Sequence, residues 1–363
     1  MLVFYKLLSR VTDLPEGGWL STDNVRTFNP WDSSRYIYCF FCSTHDLKAM
    51  QNTLFTSWWK NRKKSFLSVY DIPIGEQIIA DCYEREKELE SRTGAATTRV
   101  TDAVVNPNKW SKMNVMNALI TFESRTLAEQ SSHLYDVLGT PMEERLNADQ
   151  FKCHFQNSKK QVIGFWSSVG EHLHILMDKT KSPLSPATRS AIATFEWMAN
   201  VHEIFNNILM NTSIVIDKDN VHCYERQVMK SLDYFESLRA RQLERRDNKF
   251  EHWRKTFLES GKTWNNLRIT CRGFFDYCHA VMKYADFNTG MIPTLHGISV
   301  AHSNTSILEA WFSLVRNMRV DSGTTYGTAV GNKVMQSTCL LNTNGMYCRK
   351  QAGEIVWDRV VEH

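Results

Sequence analysis

The 363 residues contain no uninterrupted apolar run of about 18, the length a membrane-spanning helix requires. The apolar start "MLVFYKLLSR" is too brief for a secretory signal. Neither sign of charge dominates: 43 Lys and Arg stand against 39 Asp and Glu, a formal net charge of +4. That balance permits a nucleic-acid partner without arguing for one, because clustering matters more than the sum. A disulfide framework is missing too, since the nine cysteines are an odd set scattered from Cys39 to Cys348. They read as reduced thiols of an intracellular protein. No internal repeat or low-complexity segment occurs. These absences predict a soluble protein with no membrane partner, nuclear or otherwise cytoplasmic.

What is present is the composition of an ordinary globular protein, 42% hydrophobic and 23% charged. Eleven tryptophans and nineteen phenylalanines supply material for large cores. The length favours two domains, or one domain carrying a large insertion. "RYIYCFFC" (35–42) follows the turn signal "FNPWDSS" and reads as a fully buried strand. A helix should come next, with Leu47, Met50, Leu54 and Trp58 on one face. Further helices are predicted at 75–92 (ending before Gly94), at 111–138 with Ser111 as N-cap, and at 187–210 after the proline-marked break 182–190. The longest runs over 224–258, and two more cover 263–284 and about 304–317. The fold class is therefore mainly α with a small α/β part at the front.

Several stretches mimic known chemistry. Cys39, Cys42 and His45 in "CFFCSTH" lack the second close pair that zinc usually takes, and Cys39 and Cys42 alternate across the predicted strand. "ESGKT" (259–263) has Thr256 where a phosphate loop needs glycine, and a charged helix precedes it. The glycines 323, 327 and 331 read as a loop. His172 and His174 do not share a helical face. Basic candidates for DNA-backbone contact are Lys60, Arg62, Lys63 and Lys64 in "WKNRKK", which also resembles a nuclear-import signal, with Arg316 further on. A second cluster, Arg239, Arg241, Arg245 and Arg246, is interspersed with Glu244 and Asp247. On the predicted helix 304–317, Ile307, Leu308, Trp311, Phe312, Leu314 and Val315 form an apolar arc. Glu309 falls opposite, with Ser313 and Arg316, as a polar-face residue.

Three stretches acquire a second meaning from their order: "FNPWDSSRYIYCFFCSTHDLKAMQNTLF" (28–55), "NPNKWSKMNVMNALITFESRTLAEQ" (106–130) and "SNTSILEAWFSLVRNMRVDSGTTYGT" (303–328). Together they resemble the P-element transposase family, whose animal relatives include proteins with a THAP-type zinc finger. The resemblance implies an incomplete ribonuclease-H-like fold interrupted by a large helical insertion. Residues 1–57 would be the trailing part of the first ribonuclease-H-like segment and 58–258 the insertion, of a type that binds GTP. Residues 259–345 would return to the catalytic fold, and 346–363 would form a tail.

In that family carboxylates hold two Mg²⁺ ions, which activate the attacking oxygen and stabilise the leaving one. The resemblance makes Glu309 the last of three such acids. The other two fall before the segment that looks like "VFYKLLS" (3–9), so the chain reads as N-terminally truncated. None of Asp13, Asp23, Asp32 and Asp46 has the matching context. The implied partners are DNA at transposon ends, GTP and a second copy of the chain, with no strand cleavage by this chain alone. The alternative is a domesticated interaction or regulatory protein that binds neither DNA nor GTP.

Overall fold

A computed structural model describes residues 25–28, 36–38, 40–56, 67–69, 72–96, 98–107, 114–151, 163–180, 183–244, 262–287, 297–300, 346–351 and 354–359. In chain order, β1 (Arg26–Phe28) and β2 (Tyr36–Tyr38) pair antiparallel and lead into α1 (Ser43–Thr56). A second hairpin, β3 (Leu67–Val69) with β4 (Ile72–Ile74), precedes α2 (Gln77–Thr93) and the single turn α3 (Asp102–Val105). Then come α4 (Val115–Thr121), α5 (Ser124–Val137), α6 (Phe165–Lys179) and α7 (Pro186–Ile204). A π turn at Phe205–Leu209 ends α7. Last in this part of the chain are β5 (Val215–Ile216), α8 (Val221–Glu244), α9 (Lys262–Phe287) and β6 (Ile298–Ser299), which returns to pair with β5. The chain divides into two compact units, 1–301 and 302–363. In the second, β7 (Met346–Gln351) and β8 (Glu354–Arg359) form an antiparallel hairpin in continuous register. The architecture is mainly α, with a small strand content confined to two-stranded pairs among the described residues. No helix among them is long and apolar enough to cross a membrane.

The first unit is organised around α7. Every residue from Ile192 to Ile204 is buried, so this part of the helix has no solvent face. Its start follows from sequence: the Ser185 hydroxyl accepts the Thr188 N–H at 3.0 Å, and Pro186 occupies the first turn, where no N–H is needed. Helices α2, α5, α6 and α8 and strand β4 surround it. The β4 edge docks through two polar contacts, Ser190 Oγ–H to the Pro73 carbonyl at 2.6 Å and Gly75 N–H to Thr194 Oγ1 at 3.2 Å. Gly170 lets α6 approach closely, because a Cβ there would lie 2.9 Å from the Glu196 Cα on α7.

Several expectations hold. Leu47, Met50 and Leu54 line the buried face of α1, and Trp58 lies outside the described residues. Helix α2 ends at Gly94, whose φ of 72° is left-handed and whose N–H returns to the Glu90 carbonyl at 2.8 Å. Three expectations are corrected. The stretch 35–42 is not one buried strand: β2 spans three residues, Tyr36 is 40% exposed, and α1 begins at Ser43. The predicted helix 111–138 is two helices that break at Phe122–Glu123, and the cap of the first is Asn114, accepting the Met116 N–H at 3.0 Å. Helix α6 was not anticipated at all.

These contacts fix the expected cost of two glycine changes. Gly170→Ala should lower the unfolding free energy by about 2 kcal/mol, since the intruding methyl meets backbone that cannot step aside. Gly94→Ala, with nothing within 4 Å of the added methyl, should cost only about 1 kcal/mol through its left-handed φ. Urea unfolding of the two variants checks the order.

Candidate functional site

Polar side chains in a helix as buried as α7 need partners, and they concentrate at its C-terminal end. Two pairs spaced by four residues, His202 with Asn206 and Glu203 with Asn207, serve two different neighbours. The first pair takes up carbonyls at the end of α4: His202 Nδ1 lies 2.6 Å from the Phe122 oxygen, and Asn206 Nδ2 donates to the Leu119 oxygen at 2.9 Å. Thr126 Oγ1 donates to the Ile120 oxygen between them at 2.8 Å. These carbonyls lie at a helix end, and those of Leu119 and Ile120 also accept the Phe122 and Glu123 N–H groups at 3.2 and 3.3 Å.

The second pair serves the start of α6. Gly164, with φ 78°, occupies the cap position of that helix and has no side chain to cap with. The Glu203 carboxylate replaces it, accepting Gly164 N–H at 3.1 Å and Trp166 N–H at 3.0 Å, with Asn207 Nδ2 donating at 2.7 Å. A negative group at a helix N-terminus is favoured by the peptide dipoles. Burial pushes the Glu203 carboxyl above its ordinary range, while hydrogen bonds from Asn207, Gly164, Trp166 and Ser167 pull the other way. Any other residue at 164 is strained by the left-handed φ, and its Cβ, 2.6 Å from Gln227 Oε1, displaces the end of that side chain.

The His202 ring has a fixed tautomer. A carbonyl oxygen only accepts, so Nδ1 carries the proton and Nε2 presents its lone pair to Ser124 Oγ at 3.4 Å. Ser124 in turn accepts the Trp166 Nε1–H at 3.3 Å. This Ser–His arrangement resembles a nucleophile–base pair, but 3.4 Å lies beyond the reach a working base has for its proton. Burial also holds the His202 pKa at about 4, so the ring stays neutral. The pair is a structural relay joining α5, α6 and α7.

A second polar cluster ties the front of the chain to α9. Asp46, only 2% exposed in the first turn of α1, accepts the Thr270 hydroxyl at 2.6 Å, and Thr270 accepts the Phe41 N–H at 3.2 Å. Burial raises the Asp46 carboxyl to about 7 against the lowering effect of Thr270 and Asn266. A carboxyl enclosed in this way has no open coordination position. Tyr277 of α9 meets the rings of Tyr38 and Phe40, and Phe274 meets Phe40 edge-on.

A third cluster, on α8 and α9, consists of His222, Glu225 and His279, whose ligand atoms lie within 4.8 Å of one another. It is the one group of three or more potential metal ligands among the described residues. Nitrogen makes up most of its donor set, so it does not suit Mg²⁺, which takes oxygen ligands.

The residues singled out in the sequence fall largely elsewhere. Glu309 and Arg316 lie outside the described residues, as do Lys60, Arg62, Lys63 and Lys64, Arg245 and Arg246, Cys39, and the glycines 323, 327 and 331. Arg239 stacks its guanidinium 5.7 Å from the Trp264 ring centroid. Cys42 and His45 join no metal-holding group among the described residues. His172 and His174 diverge as expected, the first to the Tyr135 hydroxyl at 2.9 Å and the second to Glu196 at 3.2 Å. Lys262 and Thr263 of "ESGKT" belong to the first turn of α9, and 259–261 lie outside the described residues. Sequence reasoning missed the His222 cluster because Glu225 and His279 are 54 positions apart. The spacing of His222 and Glu225 on one helical face was the only local signal.

No family model matches the sequence, and no curated protein matches it significantly. Among solved structures, the fold is similar to a chain of the Drosophila P element transposase strand transfer complex, with a TM-score of 0.51 and 13% identity. The similarity covers 90% of this chain and 58% of that chain, so this chain spans little more than half of its neighbour's length. The fold is P-element-transposase-like.

The geometry sets two outcomes for stability. Glu203→Gln puts an amide NH₂ against N–H donors and should cost about 3 kcal/mol in chemical denaturation, with Glu203→Ala no better. For His202, the native pKa of about 4 lies below the ordinary 6.5, so the unfolded chain binds the extra proton between those values. The stability due to neutral His202 is complete above pH 6.5 and is lost as pH falls towards 4, by up to about 3 kcal/mol. Asp46 acts with the opposite sign, since its raised pKa favours the native state at low pH and disfavours it as pH rises through about 7. The difference in unfolding free energy between the wild type and His202→Gln, followed from pH 8 to pH 4, isolates the histidine and should shrink as the solution is acidified.

Proposed function

We propose that this chain is a transposase-derived protein of the P-element type and that its partner is DNA. The observation that supports the reading is the shared fold, which runs through nearly the whole chain and whose counterpart is a transposase in a strand transfer complex. The ordered sequence resemblance at 28–55, 106–130 and 303–328 leads to the same family independently. On this reading Lys60, Arg62, Lys63, Lys64 and Arg316 neutralise backbone phosphates, and the protein works in the nucleus. Glu309 is the one carboxylate of the family's metal set that a position of this sequence matches. On this reading the chain by itself binds DNA without cutting it, since one matched carboxylate is too few to hold a pair of Mg²⁺ ions. Guanine-nucleotide binding by the helical insertion is a further part of the proposal.

Fluorescence anisotropy with a labelled duplex of mixed sequence tests the DNA reading. Affinity should fall steeply with salt, and replacing Lys60, Arg62, Lys63 and Lys64 together by alanine should reduce the slope of log K against log salt by about 3 to 4. Absence of binding at low salt would favour an interaction or regulatory protein that engages neither DNA nor nucleotide. GTP titrated calorimetrically into the purified chain should give saturable heat, and a flat titration at high protein concentration removes the nucleotide from the proposal.

A further inference from the structure

We propose that His222 and Glu225 of α8 and His279 of α9 form a binding site for a borderline-soft divalent ion of the zinc class. Its donor set differs from the all-oxygen set that the family resemblance implies for Mg²⁺. His222 and Glu225 stand three residues apart in the first turns of α8 and so share one face of it. His279 reaches the same point from α9. Its Nε2 lies 2.9 Å from Glu225 Oε2, and His222 Nδ1 lies 3.6 Å from that same oxygen. The two imidazole rings face each other with centroids 5.0 Å apart and planes tilted by 34°.

These spacings are those of a coordination shell. Ligand atoms about 2.0–2.1 Å from a tetrahedral zinc ion stand roughly 3.4 Å from one another. The two separations from Glu225 lie on either side of that value, and with all three ligand atoms within 4.8 Å of one another, side-chain rotations centre an ion. Two imidazoles and a carboxylate favour zinc and its d-block neighbours over magnesium or calcium. The side chains of Glu225 and His279 are each about one-third exposed and that of His222 is 72% exposed, which leaves an approach for the ion and room for water as a fourth ligand.

The location gives the ion a structural consequence. Helix α9 carries Thr270, which holds Asp46, as well as Phe274 and Tyr277, which hold Phe40 and Tyr38. Pinning His279 to the start of α8 fixes α9 between the front of the chain and the helical body. Metal binding and folding are then linked, because a ligand that binds only the native state stabilises it.

The test uses the full chain freed of metal by chelation. Zinc titrated calorimetrically should fill one site, and cobalt at the same site should give a visible d–d band without the near-ultraviolet band of cobalt–thiolate bonding. His222→Ala, His279→Ala and Glu225→Gln should each weaken zinc binding at least tenfold. Zinc should raise the melting temperature of the wild type and leave that of His222→Ala unchanged, and the exposure of His222 makes that variant safe for folding. The proposal is overturned if no zinc binds or if the three variants bind it as tightly as the wild type. A cobalt–thiolate band, assigning the ion to cysteines, overturns it equally, as does displacement of zinc by millimolar magnesium.

Discussion

One buried carboxylate holds the helical body together. Glu203 accepts the first N–H groups of α6, a helix whose own cap residue is a glycine, and it is oriented by Asn207 one turn further on. Without it, the start of α6 would present unpaired N–H groups to an apolar interior, at a cost of about 1–3 kcal/mol for each one. The adjacent His202 and the partner Asn206 do the converse for α4, supplying donors to its terminal carbonyls. Four side chains of one segment therefore finish two other helices. The π turn at Phe205–Leu209 is part of the same device, since it closes through Met210 N–H to the Phe205 carbonyl at 2.8 Å while carrying both asparagines.

This arrangement makes the polar end of α7 a scaffold. Its histidine donates to the Phe122 carbonyl, and Ser124 links that ring to the Trp166 indole. Asp46 plays a comparable part elsewhere in the first unit, joining α1 to Thr270 on α9. The sequence around these groups mixes acids, histidines and hydroxyls in a way that suggests catalysis, yet burial and partner geometry assign them to architecture. Chemistry toward ligands lies instead at exposed edges, where the His222, Glu225 and His279 side chains meet.

Legibility in the sequence followed the range of the determining interaction. Helix α2 was readable because its stop signal, Gly94, is local. The apolar stripe of α1 and the proline-marked break at 182–190 ahead of α7 were readable for the same reason. The break between α4 and α5 was not, because no glycine or proline marks it. Carbonyls there are engaged by His202 and Asn206, 80 and 87 positions later. Helix α6 was invisible because its cap arrives from Glu203, 39 positions away. The strand at 35–42 was overread, since an aromatic run suggested full burial where only a three-residue hairpin strand forms. Mainly helical content was recovered from periodicity, and the P-element-like fold from the order of three resemblances. The His222 cluster was beyond reach, because α8 and α9 must pack before its members meet.

The central claim is that Glu203 caps α6 from within α7, so the start of α6 opens only when the helical body unfolds. Amide hydrogen exchange measured by NMR at Gly164 and Trp166 addresses this directly. The account predicts that both amides exchange as slowly as those in the middle of α7, with a free energy close to that of global unfolding. Exchange at the rates of a frayed, solvent-capped helix start would contradict it.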